Sequence, residues 1–138
     1  ILIFLFVVPK YADFVAERVF TGLDVDAFFL EYDTDRSGGF EPLRFVPKGK
    51  IVVLGLVSSK LPELEKADDL KRRIDAAAKY VPLENLCLSP QCGFSSTHHG
   101  NKLTADDLWR KLGLVLDVSK SELLKITLTL SGPSARAA

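Results

Sequence analysis

From Val25 to Tyr32 the chain reads Val-Asp-Ala-Phe-Phe-Leu-Glu-Tyr, rich in aromatic residues and apolar almost throughout. A strand with one face in water alternates apolar and polar residues. One that is apolar at successive positions needs cover on both faces, the environment of a parallel sheet. Ile51 to Val57 (Ile-Val-Val-Leu-Gly-Leu-Val) is a clearer strand still, β-branched and unbroken by charge. A third apolar run, Leu86 to Leu88, reads as a buried strand that ends at Ser89-Pro90, because proline cannot continue a sheet ladder.

Between these strands the periodicity changes to that of a helix. Tyr11, Phe14, Val15, Val19 and Phe20 recur at helical spacing, with Gly22 as a stop. Asp68 or Asp69 is placed to cap a second helix with the apolar stripe Leu70, Ile74, Ala77, Ala78 and Val81, and Pro82 lies just beyond it. Thr104 with Asp107 resembles a capping box opening a third helix that carries Leu108, Leu112 and Val115, with Trp109 packed on its face. Leu124, Ile126, Leu128 and Leu130 alternate with Lys125, Thr127 and Thr129, so Glu122 to Leu130 is predicted as a strand. Ser131 to Ala138 reads as a disordered tail. Alternation of strand and helix predicts an α/β fold with parallel strands and crossover helices.

With 138 residues, 47% of them hydrophobic, the chain suits one domain with a real core. A formal net charge of zero argues against nucleic-acid or membrane-surface partners. Two cysteines, five positions apart, form no disulfide framework and fit a reducing, cytoplasmic setting. The apolar start Ile1 to Val8 is too short to span a bilayer and lacks the flanks of a signal peptide, so it reads as a buried strand. With no methionine anywhere, the chain reads as a fragment.

Two positions stand out chemically. Cys92, followed by Gly93, sits just past the Ser-Pro break, on the loop leading from a strand to the next helix. Glu31 is an acid near the end of an otherwise apolar strand. In alternating strand–helix folds, chemistry gathers at the carboxyl ends of the strands. Cys87 alternates with Leu86 and Leu88 and is expected in the core.

Three motifs, Phe28-Phe29-Leu30-Glu31-Tyr32-Asp33, Gly55-Leu56-Val57-Ser58-Ser59-Lys60 and Ser89-Pro90-Gln91-Cys92-Gly93-Phe94, together resemble the cobalamin-independent methionine synthase superfamily, from about Tyr11 to Val118. The resemblance implies the carboxyl-terminal part of a (β/α)8 TIM barrel, here incomplete. It divides the chain into a non-matching apolar start at 1–10, a partial barrel at 11–118 and a divergent tail at 119–138. It implies a zinc-dependent methyltransferase of methionine biosynthesis, moving a methyl group from a methyltetrahydrofolate-type donor to homocysteine or another thiol. Position by position, Glu31 and Cys92 take the roles of zinc ligands, since a carboxylate and a thiolate can share one tetrahedral Zn²⁺. Arg36 and Ser37, in the long loop Thr34 to Gly49, are candidates to touch an anionic substrate or folate tail.

The chain also departs from the family pattern. The family's upstream His-x-Cys pair has no counterpart in Ile1 to Lys10, and Ser58, Ser59 and Lys60 stand where a histidine is expected. A catalytically inactive homologue without a complete zinc site is therefore an open alternative, as is a chain that needs a further barrel segment. His98 and His99, adjacent in a loop, are conceivable substitute ligands but read as a solvated pair. Asp33 to Gly38 mimics the start of an EF-hand loop, but its twelfth position is Arg44 where a bidentate glutamate belongs.

Overall fold

A computed structural model describes residues 2–5, 12–32, 37–93 and 100–130. Its strands are β1 (Leu2–Leu5), β2 (Ala27–Glu31), β3 (Ile51–Val57) and β4 (Leu86–Pro90); its helices are α1 (Ala12–Gly22), α2 (Ala67–Ala77) and α3 (Ala105–Leu130). The strands form one sheet in the order β1-β2-β3-β4, and every pair is parallel. Sequential parallel strands, with α1 joining β1 to β2 and α2 joining β3 to β4, are successive units of a (β/α) barrel. Four of the eight strands of such a barrel are present among the described residues.

The core lies on one face of the sheet. Phe28, Leu30, Val52, Leu54 and Leu56 alternate along β2 and β3 and meet Phe20 of α1, Leu70, Ile74 and Ala77 of α2, and Val118 of α3 in one buried cluster. Phe20 meets Phe28 edge-on, with ring centroids 4.9 Å apart, a favoured aromatic geometry. The alternate residues stand on the other face, where Phe29, Val53 and Cys87 are cross-strand neighbours and contribute nothing to that cluster. Glu31, Gly55 and Ser89 form the next row on the same face, toward the carboxyl ends.

This two-sidedness corrects the expectation for Cys87, which is exposed because its side of the pleat is not the one the helices cover. In α1 the buried stripe is narrower than its periodicity suggests. Ala16 and Phe20 are buried, whereas Phe14 and Val15 are exposed.

The α2 helix begins at Ala67, with Lys66 at the N-cap and no side-chain cap. Asp68 and Asp69 sit inside its first turn, where their charge complements the helix dipole. At the start of α3 the capping box forms as expected: the Thr104 and Asp107 backbone N–H groups donate to each other's side chains at 2.9 and 3.2 Å.

Two expectations about α3 fail. The predicted strand Glu122–Leu130 is helix, because α3 continues without a break to Leu130. Extending a formed helix adds one hydrogen bond per residue fixed, whereas a strand there would need a partner edge. Val118 and Glu122, four apart, are both buried, and Lys125 pairs with Asp75 of α2 at 3.1 Å. Trp109 is 69% exposed: the buried stripe runs through Asp107, Lys111, Val118 and Glu122, and two residues of helical rotation turn Trp109 to the opposite side. The tail from Ser131 lies outside the described residues. Among those residues no helix is long and apolar enough to cross a membrane.

Candidate functional site

Glu31 is the last residue of β2, and Cys92 stands two residues beyond the end of β4, so both lie at the carboxyl end of the sheet. The ladder continues past the formal strand ends. Tyr32 N–H donates to Gly55 O at 3.0 Å and Gln91 N–H to Val57 O at 2.8 Å, which carries the Cys92 loop back over the sheet. Cys92 N–H then donates to Glu31 Oε1 at 3.1 Å, joining residues sixty-one positions apart in the chain.

Between them stands Gly55, cross-strand partner of Glu31. A Cβ at Gly55 would lie 3.1 Å from Leu30 O, closer than the backbone accommodates without shifting. The absence of a side chain there leaves the Glu31 carboxylate room to cross toward β4.

The Glu31 carboxylate beside it raises the pKa of the Cys92 thiol above the ordinary value, chiefly through side-chain hydrogen bonding. Burial and the negative charge of Glu31 act in the same direction, while Lys60 opposes them. A thiol held beside a carboxylate keeps its proton until something replaces it, and a cation seated between the two would do so. Two protein donors, one oxygen and one sulfur, suit two corners of a tetrahedral zinc site. Among the described residues no third His, Cys, Asp or Glu joins them. The residues present therefore fit half of such a site.

Of the other candidates, Arg36, His98 and His99 lie outside the described residues. Ser37 is half-buried and makes no hydrogen bond with Glu31 or Cys92. In the calcium-like loop, Arg44 is committed elsewhere, paired with Asp13 at 2.8 Å and donating to Glu41 O at 2.9 Å.

Tyr32 follows Glu31 and points to the opposite, helix-covered face, where it is fully buried against Phe40. Among the described residues its hydroxyl has no hydrogen-bond partner. Burial, reinforced by the charge of Glu41 and opposed by Arg73, pushes its pKa from 10.0 up to about 12. Because the folded value is the higher one, the neutral phenol stabilises the fold below pH 10, and that contribution disappears as pH rises toward 12. In urea titrations, Tyr32→Phe should leave stability at pH 7 within about 1 kcal/mol of the parent, since no hydrogen bond is lost. The same substitution should remove an alkaline loss of about 2–3 kcal/mol that the parent shows between these limits.

Residues 10–112 match the catalytic-domain model of the cobalamin-independent synthases. The chain belongs to that family. It is 57% identical over 108 residues to the uncharacterized protein YxjG of Bacillus subtilis (strain 168), and 56% identical over 108 residues to YxjH of the same organism. Each match covers 78% of this chain and 29% of the relative, so the chain spans less than a third of the curated relatives it matches.

Among solved structures, a protein from Listeria monocytogenes described as a vitamin-B12-independent methionine synthase superposes with a TM-score of 0.58 at 34% identity, over 78% of this chain and 30% of its own. A B12-independent methionine synthase from Shewanella sp. W3-18-1, solved with selenomethionine, superposes with a TM-score of 0.65 over 84% of this chain and 31% of its own. At 22% identity, that second likeness speaks for the fold alone.

Sequence reasoning placed Glu31 and Cys92 at the carboxyl ends of strands but missed the polar groups around them. Ser59 is fully buried and donates from Oγ to Cys92 O at 3.0 Å. Asn101 Nδ2 donates to Ser59 O at 2.7 Å and to Gly93 O at 3.2 Å. Behind them Glu65 Oε1 accepts from Ser58 N–H at 2.7 Å, and Glu65 Oε2 pairs with the buried Lys111 ammonium at 2.9 Å. The one available signal was Ser58-Ser59 at the carboxyl end of the clearest strand.

Proposed function

We propose that this chain carries the Glu31–Cys92 part of a zinc site belonging to a methyltransferase of methionine biosynthesis, which moves a methyl group from a methyltetrahydrofolate-type donor to homocysteine or a related thiol. The observation that carries this reading is the hydrogen bond from Cys92 N–H to the Glu31 carboxylate, which brings a strand-end acid and a loop cysteine from two family-matched strands together. When bound, zinc supplies Lewis acidity that favours thiolate over thiol near neutral pH.

The chain's own part is to prepare that seat. Glu31 holds the Cys92 backbone, keeps the thiol proton until a cation displaces it, and offers a carboxylate oxygen as ligand. Gly55 keeps the space between the strands clear. Small-molecule substrates and a cytoplasmic setting accord with the free thiols Cys87 and Cys92. A further barrel segment is the natural source of the remaining ligands.

The lack of a third donor among the described residues favours a second reading, a relative that holds no zinc and performs no transfer. Elemental analysis of the purified chain after zinc loading and removal of free metal separates the two. About one zinc per chain supports the methyltransferase reading. A chain that stays helical by circular dichroism and retains none, both alone and with a further barrel segment supplied, is the inactive relative.

A further inference from the structure

The polar network beside Cys92, in which Ser59 and Lys111 are fully buried, is elaborate for a loop that only connects a strand to a helix. Its members come from three places: Ser58, Ser59 and Glu65 from the segment after β3, Gly93 and Asn101 from the segments flanking residues 94–99, and Lys111 from α3. Two of its bonds join groups far apart in the chain, thirty-three positions for Ser59 to Cys92 and forty-two for Asn101 to Ser59. Lys111 is fully buried, and it donates to Glu63 O at 2.5 Å as well as to Glu65. A buried ammonium requires partners on the spot, so the stretch from Glu63 to Glu65 is pinned to α3, and Ser58 N–H is pinned to Glu65 in turn.

Ser59 is thereby held at the end of a rigid arm. Its Oγ–H reaches Cys92 O, and its own carbonyl accepts from Asn101, which also grips Gly93 O. The Cys92 peptide is restrained from both sides, with its N–H on Glu31 Oε1 and its carbonyl on Ser59 Oγ. These two bonds fix where the side chain between them can point.

We infer that Ser59 and Asn101 are positioning residues for Cys92, set by the Lys111–Glu65 pair, and that they hold its thiol against Glu31 in a metal-ready arrangement. The inference rests on the reading of Cys92 as a metal ligand. In metal sites, groups that orient the ligands without touching the metal typically change affinity 10–100-fold when removed.

The test uses the full chain, its Ser59→Ala variant, and Asn101→Ala at a half-buried position in case Ser59→Ala does not fold. Two readouts are taken. The first is amide hydrogen exchange at Cys92, with the β3 amides of Val53 and Leu54 as internal reference. The second is titration with Co²⁺, followed by thiolate-to-cobalt charge-transfer absorption. Positioning predicts that the Cys92 amide exchanges about tenfold faster in either variant while the β3 amides do not change. It also predicts a cobalt affinity lower by about 10–100-fold.

Exchange that rises equally at Cys92 and in β3 marks a general loss of stability and overturns the inference, as does an unchanged Cys92 amide. Unaltered cobalt affinity with a freed Cys92 amide overturns it too. If the parent chain takes up no cobalt at all, both alone and with a further barrel segment supplied, the proposed function fails by that result. The exchange measurement then still decides whether Ser59 and Asn101 fix the Cys92 loop.

Discussion

Replacing Cys92 by alanine is expected to abolish zinc retention, lowering affinity by well over the 10–100-fold that loss of an outer-shell partner costs, and Glu31→Ala is expected to do the same. The two substitutions act differently on the chain. Cys92 is exposed, so its truncation removes a sulfur donor and one hydrogen bond but buries no new void. Its effect on urea stability should stay within about 0.5 kcal/mol. Glu31→Ala removes an oxygen donor and also frees the Cys92 N–H that donates to the carboxylate at 3.1 Å, so the Cys92 backbone loses one of its two restraints. Glu31→Gln separates these effects: its amide oxygen can still accept from Cys92 N–H, while the anionic ligand is gone.

The control is Cys87→Ala. Cys87 lies opposite Val53, two residues before the row that holds Glu31, Gly55 and Ser89, and therefore about 7 Å down the strands. It is too far back to share an ion with Glu31, and its loss should leave zinc content unchanged. Inductively coupled plasma analysis of the four variants beside the parent decides the matter. Zinc that survives Cys92→Ala, or leaves with Cys87→Ala, would place the metal elsewhere.

How much of this was legible in the sequence follows from the range of the forces involved. The strand Ile51–Val57 is observed with the bounds its β-branched run predicts, and the Thr104–Asp107 cap forms as read, because both depend on neighbours a few residues away. The strand-end positions of Glu31 and Cys92 were legible for the same reason, and resemblance supplied their chemistry.

The bracing residues were not legible. Lys111 reads as an ordinary exposed helix lysine until α3 is laid against the segment after β3, and its partner Glu65 lies forty-six positions away. Cys87 was misread because strand alternation says that two faces differ, and only the placement of helices says which is covered. For residues 122–130 two periodicities competed in one stretch. Burial of Val118 and Glu122 at helical spacing, with a Thr127 hydroxyl bonded back to Leu123 O at 3.1 Å, accords with helix prevailing.

The largest stability effect is expected at Lys111. Lys111→Met keeps much of the side-chain length, so packing loss is small, yet it removes the ammonium that serves Glu63 O and Glu65 Oε2. Glu65 keeps the Ser58 N–H at 2.7 Å but loses its counter-charge. Breaking a buried pair from one side costs about 3–5 kcal/mol. Because the Glu65 side chain is 22% exposed and partly solvated, the lower end of that range applies, about 3 kcal/mol. Lys125→Met is the comparison. Lys125 also bridges two acids, Asp75 and Glu122, but its side chain is 46% exposed, and water replaces much of what the pair supplies. That substitution should cost under about 1 kcal/mol. Urea midpoints for the two variants should therefore separate clearly. A Lys111→Met midpoint as close to the parent as that of Lys125→Met would mean that the Lys111–Glu65 pair contributes nothing net, and that the arm carrying Ser59 is held by packing alone.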